Sequence, residues 1–158
     1  MSEQVELTCD ALLARLADDL PARIASANAA ITDGRLLSMP TLSFGTRAEM
    51  SYPWCQVLPK FTENTNDNGF RIHFNHRVAV TCWIDDYEEE SLARKLVRYQ
   101  RVIRECILEE RSLPTGAGYG LQHSGDEYGP VFGSQSPGQF ISWAQSIYMI
   151  QQQQDVPG

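Results

Sequence analysis

Residues 70–84 read FRIHFNHRVAVTCWI, and this stretch decides the fold. Phe70, Ile72, Phe74, His76, Val78, Val80, Cys82 and Ile84 occupy every second position, with Arg71, His73, Asn75, Arg77, Thr81 and Trp83 between them. Alternation sustained at period two predicts a strand with one buried face. At ~3.3 Å per residue the stretch spans on the order of 50 Å. An ordinary strand has only about five or six residues. A small domain covers such a strand with difficulty, so it is expected to bend or break near Asn75–His76 or to project and pair partly outside the domain.

On the N-terminal side, Leu13, Leu16, Leu20, Ile24, Ala27 and Ile31 recur at spacings of three and four. They predict an amphipathic helix over about 8–33. Thr8 or Asp10 is placed to cap it, and Asp33-Gly34 to end it. Pro21 lacks an N–H and is expected to kink or restart the helix. Residues 35–50 read as irregular around Pro40 and Gly45. A short strand is predicted over 52–58, carrying Trp54, Cys55 and Val57, followed by a polar turn at 62–69.

On the C-terminal side, DDYEEE (85–90) leads into a second helix over about 87–111. Asp85 or Asp86 is suited to the cap, and the glutamates to the positive end of the dipole. Leu92, Leu96, Tyr99, Ile103, Cys106 and Ile107 form its apolar stripe. Residues 112–138 hold seven of the eleven glycines and are predicted to form a long flexible loop or an irregular hairpin. A last strand over 139–151 places Ile141, Trp143, Ile147 and Met149 on one face and Phe140, Ala144, Tyr148 and Ile150 on the other. Both faces are apolar, so it is expected to be central or sandwiched. The tail QQQQDVPG is expected to fray. The order predicts one α+β domain over 1–158: a mostly antiparallel sheet, two helices packed on one face, a long hairpin or extended strand, and a long Gly-rich loop.

The composition agrees with that class. An apolar fraction of 42% beside 21% charged residues disfavours disorder of the whole chain. A net charge of -7 disfavours generic binding to a phosphate backbone. Cys9, Cys55, Cys82 and Cys106 are far apart with no C-x-x-C pair, so they read as reduced, buried thiols. Met1–Asp10 carries Glu3, Glu6 and Asp10 and no basic residue, the reverse of a signal peptide. No window approaches the ~20 apolar residues of a membrane helix. Synthesis in a cytoplasm and no membrane partner are expected.

Chemistry-bearing patterns are sparse. His73 and His76 form H-x-x-H, but on a strand they point to opposite faces and do not share a metal. Cys55 or Cys82 with His73 or His123 would make a nucleophile pair only in an activating environment. GAGYG (116–120) is a fragment of a dinucleotide loop without the strand and full spacing. The acidic run is better read as capping than as a cation site. Arg94, Arg98 and Arg101, with Lys95 and Arg104 nearby, lie opposite the apolar stripe of the second helix. Such a stripe reads phosphate or pairs with acidic neighbours, and the net charge favours the second. No catalytic residue, metal or cofactor is expected, and the chain reads as a non-enzyme.

The segments DLPARIASANAAITDG (19–34), YPWCQVLP (52–59) and RIHFNHRVAVTCWIDDYEEESLARKLVRYQRVIREC (71–106) resemble the tail terminator, or tail completion, proteins of tailed bacteriophages. The resemblance covers about half the chain and does not include the glycine-rich stretch. It implies a virion protein of the tail neck: a homo-oligomeric ring, usually of six subunits, stacked on the tail tube protein and meeting the head–tail connector or stopper protein. DNA at most passes through the lumen, and an acidic lumen repels its phosphates. The alternatives are a head–tail connector or adaptor, a nucleic-acid-associated module using the basic helix face, and a Cys/His hydrolase. For a ring subunit the candidate contacts are surfaces: Arg94, Arg98 and Arg101; Asp85, Asp86 and Glu88; and Tyr119, Asp126, Glu127 and Tyr128. Charge reversal at Arg98 is then expected to reduce the solution mass of oligomers more than it lowers the melting temperature of the monomer.

Overall fold

The computed structural model describes residues 2–46, 51–66, 69, 71–134 and 136–155. Its elements are α1 (Ser2–Ala30), β1 (Thr41–Phe44), β2 (Trp54–Asn66), β3 (Arg71–Asp86), α2 (Glu89–Ile107), a 3-10 turn (Pro114–Gly116), β4 (Tyr119–Tyr128), β5 (Phe132–Gly133) and β6 (Phe140–Asp155). This is an α+β fold with six strands in the order β1-β2-β3-β6-β4, and β5 also on β6. Among the described residues only the β1–β2 pairing is parallel.

The long strand neither breaks nor reaches outside the chain. β3 pairs with β6 from Arg71↔Asp155 to Asp86↔Phe140, and with β2 from Ile72↔Asn66 to Trp83↔Trp54. Two extensions make this possible. β2 continues through residues expected as a polar turn, and β6 continues through Gln151–Asp155, expected as a frayed tail. Phe70, Asp67 and Asn68 lie outside the described residues, as do 47–50 and 156–158. A segment expected to be irregular supplies β1.

The even-numbered face of β3 is buried: Phe74, His76, Val78, Val80, Cys82 and Ile84. Both helices cover this face. Leu12, Leu16, Leu20 and Ile24 of α1 and Leu92, Leu96, Ile103 and Ile107 of α2 join Val78, Val80, Tyr148 and Ile150 in one core. Burying each such side chain contributes about 1.5–3 kcal/mol. This outweighs the one hydrogen bond that Pro21 denies α1, which runs through Pro21 as a single helix. α1 starts earlier than expected, so Thr8 does not cap it. The buried Thr8 hydroxyl instead donates to the Ala117 carbonyl, tying α1 to the turn before β4.

α2 is shorter than its periodicity suggests, ending at Ile107. Its C-terminal carbonyls find an external donor. Arg15 of α1 donates to Ile107 O at 2.7 Å, Glu110 O at 2.8 Å and Ser112 O at 2.7 Å. A cation here also favours the negative end of the helix dipole. At the other end Asp86 accepts from the Glu88 N–H and the Ser91 hydroxyl.

The glycine-rich stretch contains β4 and β5, and β4 pairs antiparallel with β6 through two register shifts, which corrects the expected 112–138 flexible loop in favour of the irregular hairpin. Three of its glycines, Gly118, Gly120 and Gly129, mark close approach of backbone to neighbouring side chains. A Cβ on Gly118 would lie 2.2 Å from Ile150 Cγ2, and one on Gly129 2.3 Å from the Trp143 ring.

His76 is a hydrogen-bonded core histidine. Thr62 Oγ1 donates to its Nδ1 at 2.9 Å, and its Nε2–H donates to Gln152 Oε1 at 2.7 Å. Gln152 Nε2 donates in turn to Gly116 O, which fixes the amide and hence the imidazole tautomer. Burial holds the imidazole below its usual value. The unfolded chain therefore takes up this proton first as pH falls. The stability from neutral His76 is complete above ~6.5 and is lost as pH drops through that value toward the folded one. Replacing His76 with Asn is expected to flatten the fall in unfolding free energy between about pH 7 and about pH 5. Chemical denaturation across that range reads it, and an unchanged slope refutes the assignment.

Candidate interaction surfaces

The helices leave the other face of the sheet open. On this face the register sets Trp83 between Trp54 of β2 and Trp143 of β6. The rings of Trp83 and Trp143 lie 6.2 Å apart. Ile141, Ile147 and Met149 of β6 share the face and are half-buried. An antiparallel sheet with one solvated face normally turns polar residues outward. Here a shallow cleft of about 390 Å³ is lined by Tyr52, Trp54, Trp83, Phe132 and Ile141. Trp54 Nε1 donates to Ser43 Oγ at 2.7 Å, whereas Trp83 Nε1 and Gln56 Oε1 are buried without a hydrogen-bond partner. β6 is thus central in strand order, as expected, but within this chain only its even face is covered. Toward the β2–β3 turn the open face becomes polar and mixed in charge, with Arg71 and Arg77 exposed and with Glu63 paired to Asn75 and Asp155 paired to Arg71 on the same face.

A second apolar cleft, of about 370 Å³, lies between α2 and the segment after β4. Leu92 and Leu96 form its floor, and Val97, Tyr128 and Val131 stand at its rim. These three are 54%, 53% and 50% exposed, high for side chains of this kind. Val131 and Phe132 are consecutive, yet each lines a different cleft.

The charged candidates do not form one surface. Arg98 donates to both Asp33 oxygens, at 3.0 and 2.6 Å, and to Arg35 O. This guanidinium holds the Asp33 carboxyl well below the usual carboxylate range. Arg35 bridges onward to Glu88 at 3.0 Å. Arg94 bonds Glu90 one turn back, and Asp86 pairs with Lys95 at 3.0 Å. Asp85 accepts from the Gln139 amide. Asp126 lies elsewhere, accepting from His123 at 2.7 Å and Ser146 at 2.8 Å and pairing with Arg104 at 3.1 Å. Burial works to raise its carboxyl, but the hydrogen bonds from His123 and Ser146 prevail and hold it low. Arg101, Glu127, Tyr119 and Tyr128 are exposed. Arg101 has no charged partner among the described residues.

No chemistry gathers around the thiols. All four cysteines are free and buried. Burial pushes the Cys55 thiol up to about 12, opposite to the activation a nucleophile needs. Among the described residues no three His, Cys, Asp or Glu side chains are grouped to hold a metal ion. No helix among them is long and apolar enough to cross a membrane.

Sequence reasoning found the three tryptophans singly but not their shared face, which only strand register reveals. It also missed Arg15 and Arg35. Val97 did carry a signal, as an apolar residue among arginines on the polar side of α2. No protein-family model matches the chain, and no curated protein matches it significantly.

The contacts of Arg98 reverse the expectation drawn from its charge alone. Arg98→Glu is expected to lower the melting temperature clearly, because it sets a carboxylate against Asp33. Arg101→Glu is expected to leave it nearly unchanged. Equal shifts in thermal denaturation refute the structural role of the Arg98–Asp33 pair.

Proposed function

We propose that this chain is a structural subunit of a tailed-bacteriophage neck: a tail terminator that forms a ring on the end of the tail tube and meets the head connector. The observation that carries the reading is the open sheet face with its three tryptophans. Trp54 is buried there, but Trp83, Trp143, Ile141, Ile147 and Met149 are only half-buried, and half-covered apolar side chains gathered on one face mark a site of association with another macromolecule. The sequence resemblance supplies the kind of assembly. Its three segments fall in α1, β2 and the β3–α2 unit, the parts that build the core and the open face.

The other classes find less support. A phosphate-binding stripe needs unpaired cations, and of Arg94, Arg98 and Arg101 the first two are each matched by a carboxylate in the same chain, which among the described residues leaves Arg101 alone. A Cys55 hydrolase needs a thiolate, which burial opposes. A head–tail connector is the alternative of the same class and differs in its partner.

The test is polymerisation of a purified tail tube protein with and without this chain, followed by electron microscopy and light scattering. A terminator is expected to arrest tube growth and to sit as a ring at one end. Tubes of unchanged length with nothing at either end refute the proposal. Binding to a purified connector alone favours the adaptor role.

A further inference from the structure

Among the described residues, two polar atoms at one cleft of the open sheet face have no hydrogen-bond partner. Gln56 of β2 is only 7% exposed, and its Oε1 accepts nothing. Trp83 of β3 has an Nε1–H that donates to nothing. Both atoms are shielded from water as well. A buried polar group left in that state is costly, and a third indole nearby shows the ordinary remedy. Trp54 Nε1 donates to Ser43 Oγ at 2.7 Å. Trp83 stands opposite Trp54 in the ladder, and Gln56 follows Trp54 by two residues, so the donor and the acceptor share one face as diagonal neighbours. Both residues line the cleft of about 390 Å³, together with Tyr52, Trp54, Phe132 and Ile141. None of these is charged. Asp85, which pairs with Ile141 in the ladder, is taken up by the Gln139 amide.

We infer that this cleft binds an uncharged, apolar peptide segment of a partner protein, one carbonyl of which accepts from Trp83 Nε1–H while one N–H donates to Gln56 Oε1. The inference deepens the association reading above, on which it rests for the choice of face, and names the chemistry of the occupant. The unpaired atoms select that chemistry. One donor and one acceptor side by side call for an acceptor and a donor in the same ligand, and a peptide backbone carries both at every residue but proline. A carboxylate or a phosphate brings no donor, and an ammonium brings no acceptor. The aromatic walls and Ile141 supply contact for an apolar side chain beside that backbone. The uncharged lining offers no partner to a charged one. Entry requires a wall to give way. Phe132 is 46% exposed and sits on a strand held by two ladder positions, so it is the wall that yields.

The experiment is NMR on the full-length chain labelled at the indole nitrogens, whose three signals are assigned with the Trp54→Phe, Trp83→Phe and Trp143→Phe variants. The probes are the capped peptide acetyl-Leu-Val-Leu-amide, its counterparts with Lys or with Glu in place of both leucines, and toluene, which is apolar and has no amide. The leucine peptide is expected to move the Trp83 N–H signal downfield as its hydrogen bond forms, and the Trp54 signal less. Both charged counterparts are expected to bind more weakly. Gln56→Leu is expected to weaken the leucine peptide about tenfold. The same variant is expected to keep the wild-type circular dichroism and to melt no lower, because it removes an unpaired buried atom. Equal binding of toluene, or of the leucine peptide by Gln56→Leu, overturns the inference and leaves an apolar patch. Tighter binding of the lysine peptide overturns it in favour of a cation held by the rings and Asp85, and tighter binding of the glutamate peptide overturns it too. A Trp83 signal that lies downfield before any probe is added, and moves upfield in Gln56→Leu, shows that the two atoms satisfy each other and overturns it. A Trp83 signal that moves on concentrating the protein alone assigns the cleft to a second copy. No shift with any probe also overturns the inference. The titration uses no tube protein, so it fails or succeeds independently of the tube-capping assay.

Discussion

The pairing of β3 with β6 over sixteen residues is the constraint on which the rest of the structure depends. A register fixed over that length also fixes which side chains look toward the helices. A slip of one residue would send Val78, Val80 and Cys82 to solvent and bring Arg77 and Trp83 inward. The buried His76–Gln152 bond reinforces the register, because it forms only when residues two apart in the pairing lean toward each other on the same face. The aromatic surface on the far side is the necessary complement of this choice.

Electrostatics within the chain is largely local. The arginines of α2 meet carboxylates on their own helix, on the segment after α1 and on β4. These pairs hold the connection between α1 and β1 against α2 and hold β4 against the end of α2. Each exposed pair contributes little alone. The bidentate grip of Arg98 on Asp33 has the geometry that matters most, because both oxygens are engaged.

Much of the fold was legible in the sequence. Period two over 70–84 gave β3, and the four-three spacing of Leu92, Leu96, Tyr99 and Ile103 gave α2. These signals survive because each reports a single buried face. The glycine-rich stretch was misread because glycine serves two opposite ends: freedom in a loop, and absence of bulk where backbone crosses a side chain. Gly129 over Trp143 is the second kind, and nothing local distinguishes it. The polar extensions of β2 and β6 were missed for a related reason. The glutamines of β6 are held by β3 partners distant in sequence, and the asparagines of β2 by the adjacent strand of a hairpin, where polar residues read as the turn itself. The candidate surface was legible only as separate tryptophans, because pairing across three strands brings them together.

The four cysteines have a consequence for where such a protein can persist. Cys55 and Cys82 face each other across β2 and β3, yet both remain thiols, and burial pushes both up. Cys9 and Cys106 are equally enclosed. Exchange with an outside disulfide begins with an accessible thiolate, and none of the four provides one. The folded chain is in this sense chemically quiet. It can pass from a glutathione-rich interior to an oxidising medium without cross-linking to its neighbours, and any union of copies rests on reversible contact alone.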